Sequence, residues 1–133
     1  MAKLVIERLT EAIGYPDQVP KGSLAATLRV DGAEVSAAVT GSRLVLSQRV
    51  TDDAKLLPSL AGYAAGRMLR EEAVLTYGDG VAFLWQDVSA DADGLALVRF
   101  FESFMDSCDW WHARVEGQQA DSAPKLSEMM IRP

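Results

Sequence analysis

Cys108 and His112, four residues apart, are the strongest candidates for chemistry in this sequence. Positions i and i+4 are neighbours on a helix, so the pair could be a nucleophile with its base, or half of a metal site. The helical wheel argues otherwise. At about 100° per residue, Leu97, Phe101, Phe104, Cys108, Trp111 and Val115 form one stripe with Cys108 near its middle. A thiol placed there is a small buried hydrophobe with a raised pKa, not a reactive thiolate. His112 falls at the stripe's edge. Asp91-Ala92-Asp93-Gly94 begins like a calcium loop but lacks the later Asp and the closing Glu, so helix capping is its expected role. Gly78-Asp79-Gly80 is followed by no phosphate-binding lysine or third glycine and reads as a turn. No Ser-His-Asp set can be built beyond the one His. The sequence therefore predicts a non-enzyme, with no catalytic residue, no metal ligand and no cofactor.

Length and composition bound what else the chain can be. Its 133 residues, 49% apolar and 24% charged, are one globular domain's worth. One Cys excludes an intrachain disulfide and suits a reducing compartment. The opening Met1-Ala2-Lys3-Leu4-Val5-Ile6-Glu7-Arg8 meets charge too soon for a signal peptide's apolar centre, and no apolar run approaches the ~18 residues of a membrane span. A net charge of −6 disfavours nucleic acid and anionic membrane as partners, since both attract basic surfaces. The expectation is an acidic cytoplasmic protein.

The elements that must position these residues can be read from periodicity. Residues 2–13 fit a short helix with Val5, Ile6, Leu9, Ala12 and Ile13 on one face, stopped by Gly14-Tyr15-Pro16. Leu24, Ala26, Leu28 and Val30 alternate with Ala25, Thr27 and Arg29, which predicts a half-buried strand. Asp31-Gly32 suits a two-residue turn into a second strand with Val35, Ala37 and Val39 inward. Gly41-Ser42 leads to a third strand carrying Leu44, Leu46 and Val50. Thr51-Asp52-Asp53 can start a helix reaching to about Arg70, its regular part beginning near Pro58. Residues 73–77 and 81–88 form another hairpin, and Ser89 or Asp91 can cap a last helix over about 92–115. The fold class is α+β, order α-β-β-β-α-β-β-α, with a mainly antiparallel twisted sheet and helices packed on it. Residues 1–116 make one domain; 117–133, polar and aperiodic, read as a C-terminal tail.

Two apolar features lack an assignment within such a domain. Trp110 lies on the polar face of the last helix, among Arg99, Glu102, Asp106 and Ala113, where a partner, a second copy or the tail could cover it. The middle helix carries Leu57, Leu60, Ala61, Ala64 and Met68 as a core stripe, with Ser59, Gly62, Tyr63 and Gly66 opposite. Each helical Gly costs about 1 kcal/mol against Ala, and the usual return is close approach of another backbone. Ser59, Gly62, Tyr63 and Gly66, with Trp85 as a large anchor in the last strand, are the expected dimer contacts.

The element order, size, acidity and the segment from Phe101 to Arg114, with Phe104, Asp109 and Trp111 at characteristic spacing, resemble the class I chaperones of bacterial type III secretion, the Tir-chaperone family. The opening helix ending at Gly14 is similar too. The resemblance covers residues 2–116 and does not account for the tail. It implies a homodimeric chaperone without enzymatic activity, which binds the unfolded N-terminal segment of a secreted effector and keeps it soluble and secretion-competent. Candidate contacts for such a segment are Val5 and Leu9 on the first helix, Ala25, Thr27, Ala38 and Val45 on the sheet, and Trp110. Two rival classes are a dimeric adaptor for a folded protein and a small-molecule-binding α+β domain, which a polar convergent pocket would favour.

Overall fold

The computed structural model describes the backbone of residues 4–15, 19–20, 22–67 and 72–131, with side chains through residue 117. The chain forms helix α1 (Val5–Ala12), strands β1 (Ala25–Val30), β2 (Ala33–Thr40) and β3 (Arg43–Thr51), helix α2 (Leu57–Arg67), strands β4 (Val74–Gly78) and β5 (Val81–Ser89), and helix α3 (Gly94–Ile131). This is the α+β order expected. The five strands make one antiparallel sheet in the spatial order β1-β2-β3-β5-β4.

Register follows from the turns. Asp31 and Gly32 both have positive φ, at 51° and 82°, and so do Asp79 and Gly80, at 54° and 79°. That is the type I′ geometry whose twist matches paired strands, and Asp-Gly is among the few pairs that adopt it without strain. Val30 is thereby placed opposite Ala33, and Gly78 opposite Val81. Because side chains alternate along a strand, a one-residue slip would turn every apolar residue outward. In the observed register Leu28, Val30, Val35, Ala37, Leu44, Leu46, Val50, Leu75, Ala82 and Leu84 are all buried.

One face of the sheet is covered, by α1 and α3, which also pack on each other. The predicted stripe of α3 is buried at all six positions, with Leu97 and Phe104 fully enclosed and Trp111 1% exposed. Asp93 Oδ1 accepts from the Ala96 N–H at 2.8 Å, so Asp93 caps α3 in place of Ser89 or Asp91. Helix α1 ends in a Schellman motif at Gly14: the Tyr15 N–H donates to the Thr10 carbonyl at 2.8 Å and the Gly14 N–H to the Glu11 carbonyl at 3.2 Å. Thr10, missed by the apolar pattern, is buried because its hydroxyl donates to the Glu7 carbonyl at 2.9 Å.

Three expectations are corrected. Leu24 is 58% exposed, one residue ahead of the start of β1. The middle helix is split: Asp53 accepts from the Lys55 N–H and opens a single 3₁₀ turn over Ala54–Leu56, and the α-helix follows from Leu57 with Pro58 in its first turn. Met68 lies outside the described residues. The segment read as a tail is helical through Ile131; after Gly117 it contains mostly helix formers (Gln118, Gln119, Ala120, Ala123, Lys125, Leu126, Glu128, Met129 and Met130) that periodicity alone did not credit.

Cys108 sits inside this core at 1% exposure. Burial, with a smaller push from the Asp109 carboxylate, raises its thiol from 9.0 to about 12. Between those values the native chain keeps a proton that the unfolded chain releases, so the thiol's contribution to stability is lost as pH rises through that window. Urea midpoints of the parent and Cys108→Ala should therefore converge above about pH 9, the parent losing stability faster. Phe104→Ala, which empties the centre of the stripe, is expected to cost about 3–5 kcal/mol in the same measurement.

Candidate partner-binding surface

The second face of the sheet has no helix over it among the described residues. Cross-strand register arranges its side chains in rows. Ala25, Ala38 and Val45 are paired in one row that ends at Asp87; Thr27, Ser36, Ser47, Trp85 and Val74 form the next. Phe83 stands beside Trp85 with ring centroids 6.0 Å apart, and the Trp85 indole N–H donates to Thr76 Oγ1 at 2.5 Å. Phe83, Trp85 and Val74 are 37%, 39% and 41% exposed. Small side chains on β1 and β2 therefore border a raised aromatic ridge on β5, a stepped surface that can seat apolar side chains in a shallow trough. Ion pairs close its ends: Arg29 to Glu34 at 2.7 Å and Arg43 to Asp87 at 3.1 Å.

The structure regroups the residues expected to bind partners. Ala25, Thr27, Ala38 and Val45 lie together on the open face, as the alternation implied, and Trp85, expected at a dimer contact, shares it. Phe83 and Val74 belong to the same surface and could have been read from the same period, since they alternate with buried Leu84 and Leu75. Leu9 is corrected: it is fully buried beneath α1, leaving nothing for a partner to touch, and Val5 is 4% exposed. Both are spent on the core because α1 needs its whole apolar stripe to cover the sheet. What α1 does offer is a shallow groove of about 600 Å³ lined by Leu4, Val5, Leu24, Val39 and Ala90. Arg8, which also lines it, is held down by donating to the Ala92 carbonyl at 2.5 Å and to the Ala90 carbonyl.

Ser59, Gly62, Tyr63 and Gly66 share the exposed side of α2, as the wheel predicted. A Cβ added to Gly62 or Gly66 would meet nothing within 4 Å, so no contact among the described residues demands glycine there. Trp110 joins this cluster. Tyr63 meets it edge-on at 6.0 Å and Trp111 at 5.0 Å, while the Arg67 and Arg114 guanidinium carbons lie 3.7 and 4.6 Å from its ring centroid. Two cations on one indole offset the cost of its position among charged neighbours. The cover sought for Trp110 thus includes the chain's own α2.

Cys108 and His112 are not brought together as a reactive pair. His112 Nε2 lies 2.8 Å from Gln48 Oε1, and Gln48 Nε2 donates to the Glu34 carbonyl at 2.9 Å. An amide oxygen only accepts, so the proton is on His112 Nε2. Gln48, buried in line with inward Leu46 and Val50, is the site residue that an apolar pattern skips. Among the described residues no three His, Cys, Asp or Glu side chains are grouped to hold a metal ion, and no helix is long and apolar enough to cross a membrane.

No family model and no curated protein matches the sequence. Among solved structures, the chain is similar to one in the HopA1–SchA chaperone–effector complex, with a TM-score of 0.65 and 12% identity over 82% of this chain and 91% of that one. It is also similar to a chain of the ExsC–ExsE complex, with a TM-score of 0.61 and 17% identity over 82% and 89%. The α-β-β-β-α-β-β-α chain, with its sheet covered on one side, therefore has the fold found in these complexes, the fold implied by the resemblance to class I type III secretion chaperones.

Proposed function

We propose that this protein is a secretion chaperone that binds the unfolded N-terminal segment of a type III effector and keeps it soluble and secretion-competent, without enzymatic activity. The observation that carries this reading is the likeness, over about nine-tenths of their length, to chains of two solved complexes, one of them described as chaperone with effector. The open sheet face supplies a physical means. An extended segment laid across it buries apolar side chains against Phe83, Trp85 and Val45, and the outer edges of β1 and β4, which no strand pairs among the described residues, can take main-chain hydrogen bonds. The acidic chain suits a partner whose bound segment is basic.

We further propose a homodimer through the exposed face of α2. Small residues at Ser59, Gly62 and Gly66 let a second backbone approach, and Tyr63 beside the Arg67–Trp110 stack supplies an aromatic anchor.

Co-expression with the N-terminal segment of an effector encoded beside it tests the first reading. The segment should be soluble and co-purify only when this chain is present. Trp85→Asp and Phe83→Asp should lower the recovered complex about tenfold or more, as loss of a buried aromatic anchor does, while leaving the chaperone's own stability nearly unchanged. Segments that stay insoluble with and without the chain would overturn it. For the dimer, Gly62→Leu should gain up to about 1 kcal/mol in helix propensity yet shift sedimentation toward the monomer. A variant of unchanged mass and raised stability would mean that α2 faces solvent.

A further inference from the structure

Between β2 and β3 the ladder stops one bonded pair early. Pairing runs from Thr40–Arg43 to Ser36–Ser47 and ends there, although both strands continue. The next bonded pair in this register is Glu34 with Arg49. Alternation along an antiparallel strand points the backbone groups of these two residues at each other's strand. They do not meet. The Glu34 carbonyl is taken by the Gln48 side chain, itself tethered to His112 on α3. A β-bulge where β3 pairs with β5, between Arg49 and Thr51, bends β3 away at the same level. An open cleft of about 520 Å³ remains, whose lining includes Ser36 and Ser47 from the open face together with Gln48 and His112.

We infer that this cleft is a main-chain recognition site, which takes a neutral peptide group of an extended partner segment crossing the open sheet face. The inference rests on the reading of the partner as an unfolded segment. What the cleft offers is the Glu34 N–H and the Arg49 N–H and C=O, the complement of one peptide unit: β2 and β3 form no bridge at this pair, and by alternation Glu34 opposite Arg29 and Arg49 opposite Phe83 stand at non-bonded positions of their other ladders. The hydroxyls of Ser36 and Ser47 can donate or accept beside them. Neither a carboxylate nor an ammonium is favoured there. The Glu34 carboxylate is already paired with Arg29 at 2.7 Å, and the Arg49 guanidinium lies 3.8 Å from Asp52. Gln48 and His112 act as positioning residues, because by occupying the Glu34 carbonyl they hold the two strands apart.

The test is amide NMR on the full chain, labelled with ¹⁵N, using a capped octapeptide of alternating Thr and Asn as the probe. In the free chain the Glu34 and Arg49 amides should exchange with solvent severalfold faster than Ser36 and Ser47. Millimolar probe should shift both resonances to saturation and slow their exchange severalfold, whereas a capped Asp–Thr octapeptide should not. Ser47→Leu, which fills the cleft from the open side, should abolish the response and leave the rest of the spectrum in place. Slow exchange at Glu34 and Arg49 in the free chain, no saturating shift with the Thr–Asn peptide, or an undiminished response in Ser47→Leu would each overturn the inference. An effector segment that co-purifies while these two amides stay silent would defeat the cleft alone. A failed co-purification with the probe response intact would defeat the chaperone reading alone.

Discussion

Everything in this molecule depends on α3 lying across one face of the sheet. Phe104, Cys108 and Trp111 stand over side chains that five strands present in phase, and that phase is set at the turns, where Asp31-Gly32 and Asp79-Gly80 permit only one register. Burial of six stripe residues at roughly 1.5–3 kcal/mol each is enough to commit the whole apolar set to one side. The other side is then necessarily a surface, made of whatever the alternate positions carry.

On most one-sided sheets those alternate positions are charged or hydroxylic. Here they include Phe83, Trp85, Val74 and Val45, interrupted by small side chains and framed by ion pairs at the rim. The α1 groove and the Tyr63–Trp110 cluster add two further apolar sites at other places on the molecule. Shallow, separated sites of this kind suit a ligand that is long and has no shape of its own. They contrast with an enclosed pocket in which polar groups converge on a small molecule.

The layout of helices and strands was legible in the sequence because each element satisfies its own period. The Leu97-to-Val115 stripe, the two Asp-Gly turns and the Gly14 stop are local signals, and all three stand in the structure. The site was legible in part. Alternation puts Ala25, Thr27, Ala38 and Val45 on one open face, as observed, but which of two amphipathic faces a helix covers is decided by tertiary packing, so Leu9 was placed on a surface it does not reach. Gln48 and Thr10 escaped for a different reason. Their inward positions are tolerable only because distant or backward hydrogen bonds satisfy them, and no pattern of apolarity encodes a partner. Trp110 was recognised as anomalous, yet the two arginines that stack on it come from different helices and are adjacent only after folding.

The strand order has a consequence for how the chain assembles. Neighbours β1–β2, β2–β3 and β4–β5 are joined by two-residue loops that close on the microsecond scale. The β3–β5 pairing instead joins residues as far apart as Arg43 and Ser89, with α2 and β4 threaded between them. That central seam must wait for a long loop to close, which makes it the natural bottleneck of folding. Synthesis proceeds from the N-terminus, so α3 leaves the ribosome last. Until it does, the half-built sheet has its future interior bare: during its own birth, this chain passes through the exposed, aggregation-prone condition from which it is proposed to protect another.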